Sequence, residues 1–413
     1  MKSHLTHYKT KIFLVFLVVL SMFFILEILS CIFVTDPEIE NIVTSCKEED
    51  TSAYIEKNQC PRSQDEMAQM EYNTFVGYIP VANHSGTGCY TNSSHYRYDE
   101  NLSAKKPNDE FRIFITGGSS AWGAGVKQHQ TFAYLLERKL NEIPLSKKVR
   151  VIIAAAGGWV SSQERAFITN YVMEYDPDII IMFSGWNDVY NAYTGRDFNK
   201  NQDFLFFRKA IYNARNFLKP QARLTETYQD KFENLCPPRF SEYKSKFLYL
   251  VLSVIYKYRY NVSSLLKQIK TISLDVNKIK QNTLYNIELI NHLLKKEDIS
   301  MIYCLQPTIY LTNKELSDWE RAILIRSVET DVGYAEYNSE AYRELRVSLK
   351  DNAIKNNYLF WDCDEAIKNE KLSVFIDHVH FGDRGNMLIA NFLFSKLLEN
   401  DLIKKLIKDK KIN

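Results

Sequence analysis

The chain has 413 residues, of which 46% are hydrophobic and 25% are charged. This balance is that of an ordinary folded protein, and it excludes a disordered, collagen-like or low-complexity chain. Lys and Arg together number 52 and Asp and Glu 50, so the net charge is only +2. Because there is no basic surplus, we expect no nucleic-acid partner.

The first predicted element is an apolar segment near the N-terminus. Residues 12–34 contain a single charged residue, Glu27, and a helix of roughly 20 residues is long enough to cross a bilayer. Lysines precede the segment and acidic residues follow it, which places the N-terminus in the cytoplasm and the rest of the chain outside it. A cleaved signal peptide is the alternative. The sequence therefore predicts a cytoplasmic stub and transmembrane anchor over residues 1–35, followed by an extracytoplasmic domain that is periplasmic, extracellular or lumenal.

Residues 36–110 are polar, show little periodicity and contain three cysteines, so we expect an irregular membrane-proximal region. An even number of cysteines beyond the anchor permits disulfides in an oxidising compartment, and their pairing stays open. Cys304 and Cys363 lie in strand-like runs and are equally well explained as buried thiols. No cysteine or histidine spacing typical of a zinc site occurs, and we expect neither a metal nor an organic cofactor.

From residue 111 onward, short apolar runs alternate with segments of helical periodicity. The predicted strands are 111–116, 149–155, 178–184, 299–305 and 358–361. Thr131 is a candidate N-cap for the helix after the first strand, and the last helix is expected over about 386–407. This alternation is typical of a parallel sheet covered by helices on both faces, so we expect an α/β fold with a flavodoxin-like, doubly wound sheet of five strands.

One interval interrupts this alternation within the predicted domain of residues 111–413. Residues 189–298 contain aromatic-rich helical runs and predict a helical insertion that caps the sheet on one side. The interval follows the third strand, so it emerges at the carboxyl edge of the sheet. Whether the cap covers a substrate pocket or is only a packing layer stays open.

Chemically active residue types follow the carboxyl ends of the predicted strands, where open α/β sheets place their sites. Ser119 follows the first strand on a glycine-rich turn, Gly158 the second, and Asn187 the third, while Asp377 and His380 follow the fifth. Together they supply a nucleophile, N–H donors for an oxyanion, and a base with an orienting carboxylate. The pattern therefore predicts acyl-transfer chemistry at this edge.

These segments resemble, in the same order, the four sequence blocks of the SGNH/GDSL hydrolase superfamily. The resemblance implies that Ser119 is the nucleophile, that His380 is its base, and that Asp377 is the triad aspartate. It also implies an oxyanion hole made by the backbone N–H of Ser119, the backbone N–H of Gly158 and the side chain of Asn187. The implied fold is the one predicted above.

The resemblance extends from about residue 111 to the C-terminus, and residues 72–80 resemble the lead-in of bacterial membrane-anchored members. One departure is Gly118, which stands where the superfamily's Gly-Asp-Ser has its aspartate, so the nucleophile lacks a neighbouring carboxylate. A second departure is the missing asparagine of the second block, whose place is near Ile153.

Two neighbouring residues compete for the central roles. Ser120 is adjacent to Ser119, but the Gly-x-Ser register favours Ser119. His378 lies close to His380, but the spacing from the aspartate favours His380.

Three tryptophans adjoin the blocks, namely Trp122, Trp159 and Trp186. They either wedge the loops against the core or form an aromatic wall for a sugar ring or an acyl chain. Gln306, after the fourth strand, is a further candidate for hydrogen bonding to substrate.

The sequence therefore predicts a membrane-anchored serine esterase or deacylase that acts through an acyl-enzyme on acyl or acetyl esters. Its substrate is expected to be a small-molecule, glycan or lipid ester. Two alternatives stay open: an O-acyltransferase of a surface polysaccharide, and a non-catalytic carbohydrate-binding or assembly protein on the same fold. Neither the substrate's acyl and alcohol parts nor the oligomeric state follow from the sequence.

Overall fold

The computed structural model describes residues 70–86, 88–193, 276–330 and 334–407. The predicted anchor at residues 12–34 and most of the predicted insertion lie outside these ranges. Within them, no helix is both long enough and apolar enough to cross a bilayer.

The main sheet is built from five strands whose neighbours all pair in parallel. They are β3 (Glu110–Gly117), β4 (Lys148–Ile153), β5 (Ile179–Ser184), β6 (Ser300–Leu305) and β7 (Leu359–Asp362). Their order is β4-β3-β5-β6-β7, which confirms the predicted flavodoxin-like sheet. The chain leaves β3 toward one side and returns to its other side as β5, so the topological switch point lies between β3 and β5, where such sheets form a crevice.

Helices cover both faces of this sheet. They are α1 (Ser119–Trp122), α2 (Phe132–Glu142), α3 (Ser161–Asn170), α4 (Trp186–Tyr193), α5 (Val276–Lys296), α6 (Asp318–Thr330), α7 (Tyr334–Asn356) and α8 (Asp383–Glu399). Side chains of α2 and α8 form one hydrophobic cluster with the sheet, and side chains of α3, α5 and α7 form another on the opposite face. The strands are therefore apolar on both sides, which explains their continuous rather than alternating hydrophobic runs.

Local signals explain where two of the helices begin or end. The Thr131 hydroxyl accepts the backbone N–H of Tyr134, so it caps α2 as predicted. The last helix ends at Glu399 rather than near residue 407, and Asp401 there adopts a left-handed φ of 58°, which does not continue a right-handed helix.

Two short antiparallel strands precede the sheet, β1 (Met70–Asn73) and β2 (Gly77–Pro80). They lie within residues 36–110, where the sequence indicated irregular structure, because strands of four residues are too short to show an alternating pattern. Tyr78 and Ile79 of β2 are buried in the cluster that contains α3. The described part of this region therefore packs on the main domain.

Helix α5 is the end of the predicted insertion. It packs against α3 and α7 in the layer that covers the sheet, so this part of residues 189–298 is a regular crossover helix. Residues 194–275 of the insertion lie outside the described ranges.

Candidate active site

The candidate nucleophile lies in residues 117–123, which comprise the end of β3, the short helix α1 and the residue after it, and are called the nucleophile turn below. Gly117 has a φ of +148°, and a Cβ at this position would lie 2.2 Å from the carbonyl oxygen of Phe183. Only glycine fits there. Ser119 follows as the first residue of α1 and is half-buried. The steep turn therefore presents the Ser119 hydroxyl at the carboxyl edge of the sheet.

The Ser119 hydroxyl is hydrogen-bonded to a histidine that the sequence places 261 residues away. Its Oγ lies 2.7 Å from Nε2 of His380, and Nδ1 of His380 lies 2.8 Å from Oδ2 of Asp377. An imidazole that donates its Nδ1–H to the carboxylate has Nε2 free to accept the serine proton. The side chains of His380 and Asp377 are each 17% exposed, so the hydrogen-bonded row of Ser119, His380 and Asp377 is accessible to solvent.

The histidine and the aspartate belong to one short segment, residues 377–380, called the acid–base loop below. Oδ1 of Asp377 accepts the backbone N–H groups of Val379 and His380, each at 2.8 Å. The Ser120 hydroxyl donates to the carbonyl oxygen of Val379 at 3.0 Å and accepts from Nε2 of Gln306 at 3.3 Å. Ser120 therefore joins the nucleophile turn to the acid–base loop, and its hydroxyl points away from the imidazole.

The other histidine of the loop is turned toward aromatic rings. The ring of His378 stacks on Trp186 with 4.9 Å between ring centroids, and Tyr310 stacks on the same two rings. Its backbone carbonyl accepts the N–H of Ile309 at 3.1 Å. The structure thus places His380, and not His378, beside Ser119.

Asn187 reaches the nucleophile turn from the end of β5. Its Nδ2 donates to the carbonyl oxygen of Trp159 at 2.7 Å. A Cβ at position 118 would lie 2.1 Å from that same Nδ2. The glycine at 118, which replaces an aspartate of the superfamily pattern, therefore makes room for the Asn187 amide.

The other two predicted oxyanion donors are the backbone N–H groups of Ser119 and Gly158. Gly158 is half-buried with a φ of +82°, and it belongs to residues 157–160, called the oxyanion loop below. Within the described ranges, the N–H groups of Ser119 and Gly158 donate to no other residue. Donors that are not used within the protein and that lie near a nucleophile are suited to bind a developing negative charge.

A buried carboxyl pair lies beneath the site. Oδ1 of Asp188 accepts the Ser161 hydroxyl at 2.6 Å, and Glu164 accepts the hydroxyls of Thr116 and Ser184. Burial raises the pKa of Glu164 to about 7, and the neighbouring Asp188 carboxylate acts in the same direction against those hydrogen bonds. Burial also raises the pKa of Asp188. Asp188 ties the start of α4 to the start of α3.

The residues predicted to bind substrate are buried. Trp122, Trp159 and Trp186 are 2%, 0% and 5% exposed, and Gln306 is 3% exposed. Nε1 of Trp159 donates to the carbonyl oxygen of Tyr78 at 3.0 Å, and Gln306 donates to Ser120. Burial of Trp122 and Trp159 corresponds to the wedge alternative, and its hydrogen bond makes Gln306 a partner of Ser120. In the described residues, no group of three or more His, Cys, Asp or Glu side chains is placed to hold a metal.

Sequence reasoning missed a buried ion pair that holds the approach to the acid–base loop. Oε1 of Glu320 accepts the backbone N–H groups of Val374 and Phe375 at 2.8 and 3.1 Å. Its Oε2 accepts from Nζ of Lys314, and both side chains are fully buried. Lys and Glu are normally exposed, so no sequence signal marks such a pair.

The chain is similar to one known protein family and to several proteins of known structure. Residues 111–393 match the family model described as GDSL-like Lipase/Acylhydrolase. An acetyl xylan esterase of known structure is 15% identical, with a TM-score of 0.37 and coverage of 70% of this chain and 100% of that one. A GDSL-like lipase from Bacteroides thetaiotaomicron is 12% identical, with a TM-score of 0.35 and coverage of 70% and 88%. A lipase/acylhydrolase from Enterococcus faecalis is 12% identical, with a TM-score of 0.37 and coverage of 70% and 96%. No curated protein sequence matches the chain.

Proposed function

The chain belongs to the GDSL-like lipase/acylhydrolase family, and we propose that it is a serine ester hydrolase that works through an acyl-enzyme. The observation that carries the proposal is the hydrogen-bonded row from Ser119 through His380 to Asp377, with distances of 2.7 and 2.8 Å. A serine hydroxyl is a weak nucleophile until a base takes its proton. The row supplies that base and a carboxylate that orients it.

In the acylation step, Oγ of Ser119 attacks the ester carbonyl carbon while its proton passes to Nε2 of His380. The imidazolium that forms is stabilised by the Asp377 carboxylate. Collapse of the tetrahedral intermediate breaks the bond to the alkoxy oxygen, which takes the proton from Nε2 and leaves as the alcohol. The acyl group is then esterified to Ser119.

The negative charge of the tetrahedral intermediate is assigned to the donors around the nucleophile turn. The proposed donors are the backbone N–H groups of Ser119 and Gly158 and the side-chain amide of Asn187. Removing one such donor typically lowers kcat by about 10²- to 10³-fold.

In the deacylation step, a water molecule attacks the acyl carbon and gives its proton to His380. The second intermediate collapses to the free acid, and the proton returns to Oγ of Ser119. The site is restored without any cofactor taking part in this sequence. The partial exposure of His380 supports access of water to the acyl-enzyme.

A fluorophosphonate probe on the full-length protein tests the proposal. Wild-type protein is expected to be labelled at neutral pH, and Ser119→Ala is expected to lose the label. Ser120→Ala is the matched control, since its hydroxyl bonds Val379 and Gln306 instead of the imidazole, and it should keep the label. Equal labelling of wild-type protein and Ser119→Ala would contradict the proposal. Hydrolysis of aryl acetates and longer aryl esters, with and without a sugar acceptor, separates a hydrolase from an acyltransferase.

We also propose that the catalytic domain is anchored on the extracytoplasmic side of a membrane by residues 12–34. The length and apolarity of this segment, together with the lysines that precede it, support the proposal. Protease protection of sealed vesicles tests it. Added protease should cleave the domain in vesicles whose extracytoplasmic side faces outward, and the domain should be protected in inverted vesicles.

A further inference from the structure

We propose that Arg97 and Tyr78, which both precede the residues matched by the family model, are positioning residues for the reaction. Arg97 holds the nucleophile turn, and Tyr78 holds the oxyanion loop. The segment of residues 70–98 is then part of the catalytic unit. This inference rests on the proposed hydrolase function.

Arg97 uses every hydrogen-bond donor of its side chain, and Nη1 donates to two carbonyl groups of the nucleophile turn. A guanidinium has five N–H donors in a fixed planar arrangement. Nε donates to Oε1 of Gln128 at 2.9 Å, Nη1 to the carbonyls of Trp122 at 2.7 Å and Gly123 at 3.0 Å, and Nη2 to those of Val126 at 2.9 Å and Gly88 at 3.4 Å.

This cation is buried without a carboxylate partner. Arg97 is 1% exposed, and within the described ranges no Asp or Glu forms an ion pair with it. A buried, uncompensated charge is strongly unfavourable unless all its donors are bonded. The carbonyl groups of Trp122 and Gly123 at the end of the nucleophile turn, together with those of Val126 and Gly88 and the Gln128 side chain, provide that compensation. The fixed geometry of the guanidinium donors therefore suits one backbone conformation of the turn. A lysine ammonium has fewer donors in a different geometry and does not make the same set of hydrogen bonds.

Tyr78 makes the equivalent contacts with the oxyanion loop. Its hydroxyl donates to the carbonyl oxygen of Gly157 at 2.8 Å, and its backbone carbonyl accepts from Nε1 of Trp159 at 3.0 Å. Gly157 directly precedes Gly158, and the carbonyl oxygen of Trp159 holds the Asn187 amide. One buried tyrosine thus fixes the residues around two proposed oxyanion donors.

The two loops follow different strands, so their relative position is not determined by either loop alone. Acyl transfer requires the nucleophile and the oxyanion donors to be placed to within a fraction of an ångström, and a shift of about 1 Å lowers the rate by about 10²-fold. The upstream segment contacts both loops. Loss of its contacts should therefore reduce kcat and leave KM nearly unchanged.

Arg97→Lys tests the first half of the proposal, with Arg112→Lys as the matched control. Arg112 is also 1% exposed, but its donors go to Glu110, Ser103 and Tyr175 at the opposite end of β3. Both variants should lower the melting temperature. Only Arg97→Lys should slow fluorophosphonate labelling and reduce kcat, by about 10²-fold, with KM within about twofold.

A wild-type labelling rate in Arg97→Lys, or equal slowing in both lysine variants, overturns the proposal. Where Arg97→Lys does not fold, Tyr78→Phe decides, because it removes a single oxygen. A drop in kcat of about tenfold with unchanged KM supports the proposal, and an unchanged kcat overturns it. Failure of the hydrolase function itself is recognised separately, because the wild-type protein would then not be labelled or Ser119→Ala would keep the label.

Discussion

The two halves of the site are held in different ways. The nucleophile turn tolerates no side chain at Gly117, which has a φ of +148°: a Cβ there would lie 2.2 Å from the Phe183 carbonyl oxygen. The acid–base loop is held by hydrogen bonds, from Asp377 to its own backbone and from Ser120 to the carbonyl oxygen of Val379. The turn therefore depends on positions that must stay free of a side chain, in addition to the hydrogen bonds from Arg97, whereas the acid–base loop depends on hydrogen-bond partners that can be removed one at a time.

This difference predicts two kinds of mutational response. Steric contacts at under 3 Å allow no gradual adjustment, so a change in the turn should displace a whole group. Hydrogen bonds are individually modest, so changes to residues that only hold the acid–base loop should weaken the protein in steps, whereas changes to His380 or Asp377 act on the reaction itself. The following variants compare the two halves.

The largest effect is expected inside the acid–base loop. His380→Ala removes the proposed base and should lower kcat by roughly 10⁴- to 10⁶-fold. Asp377→Asn keeps an oxygen for the backbone N–H groups but not a carboxylate for Nδ1, so a drop of about 10⁴-fold is expected. Ester hydrolysis under saturating substrate measures both. An Asp377→Asn enzyme within tenfold of wild type would show that the carboxylate does not orient the imidazole.

The next largest effect is a loss of stability at the buried Glu320–Lys314 pair, which holds the residues that lead into the acid–base loop. Glu320→Gln keeps an acceptor for the N–H groups of Val374 and Phe375 but leaves the buried Lys314 ammonium without a counter-charge. Breaking a buried pair in this way typically lowers the free energy of unfolding by about 3–5 kcal/mol. Thermal unfolding measures the loss. The double variant Glu320→Gln with Lys314→Met removes the unpaired charge and should recover part of it, and no recovery would contradict the explanation.

In the nucleophile turn, Gly118→Ala should displace a catalytic group as a unit. The new Cβ would lie 2.1 Å from Nδ2 of Asn187, so the amide must leave its place. We expect kcat to fall by about 10²- to 10³-fold, as on loss of one oxyanion donor. Asn187→Ala should give the same loss, and the double variant should add nothing to it. Additive losses would show that the two residues act independently.

The smallest expected effect concerns the buried carboxyl beneath both halves. The pKa of Glu164 is raised from 4.5 to about 7, so the folded state binds this proton more tightly than the unfolded state. The contribution to stability is fully present below pH 4.5 and is lost as the pH rises through 7, with a magnitude on the order of 3 kcal/mol. Glu164→Gln should therefore flatten the fall in melting temperature between pH 5 and pH 7.5. An unchanged slope would assign that fall to other groups.

Much of the fold follows from local pattern. All five strands lie within one or two residues of their predicted bounds, because buried parallel strands are continuous apolar runs closed by turn residues. Helices α6 and α7, which lie between β6 and β7, were not predicted. The hairpin of β1 and β2 was missed as well, since each strand has only four residues.

The sequence by itself determined the order along the chain of the five main strands, the family and the positions of Ser119, Asp377 and His380, because each of these depends on a short local pattern. Only the tertiary structure decided that Asn187 occupies the space left by Gly118, and that Trp122 and Trp159 are buried. It alone placed the guanidinium of Arg97 among the carbonyls of the nucleophile turn. Such contacts join residues that are tens to hundreds of positions apart, and burial and hydrogen-bond pairing across that separation depend on how the layers pack.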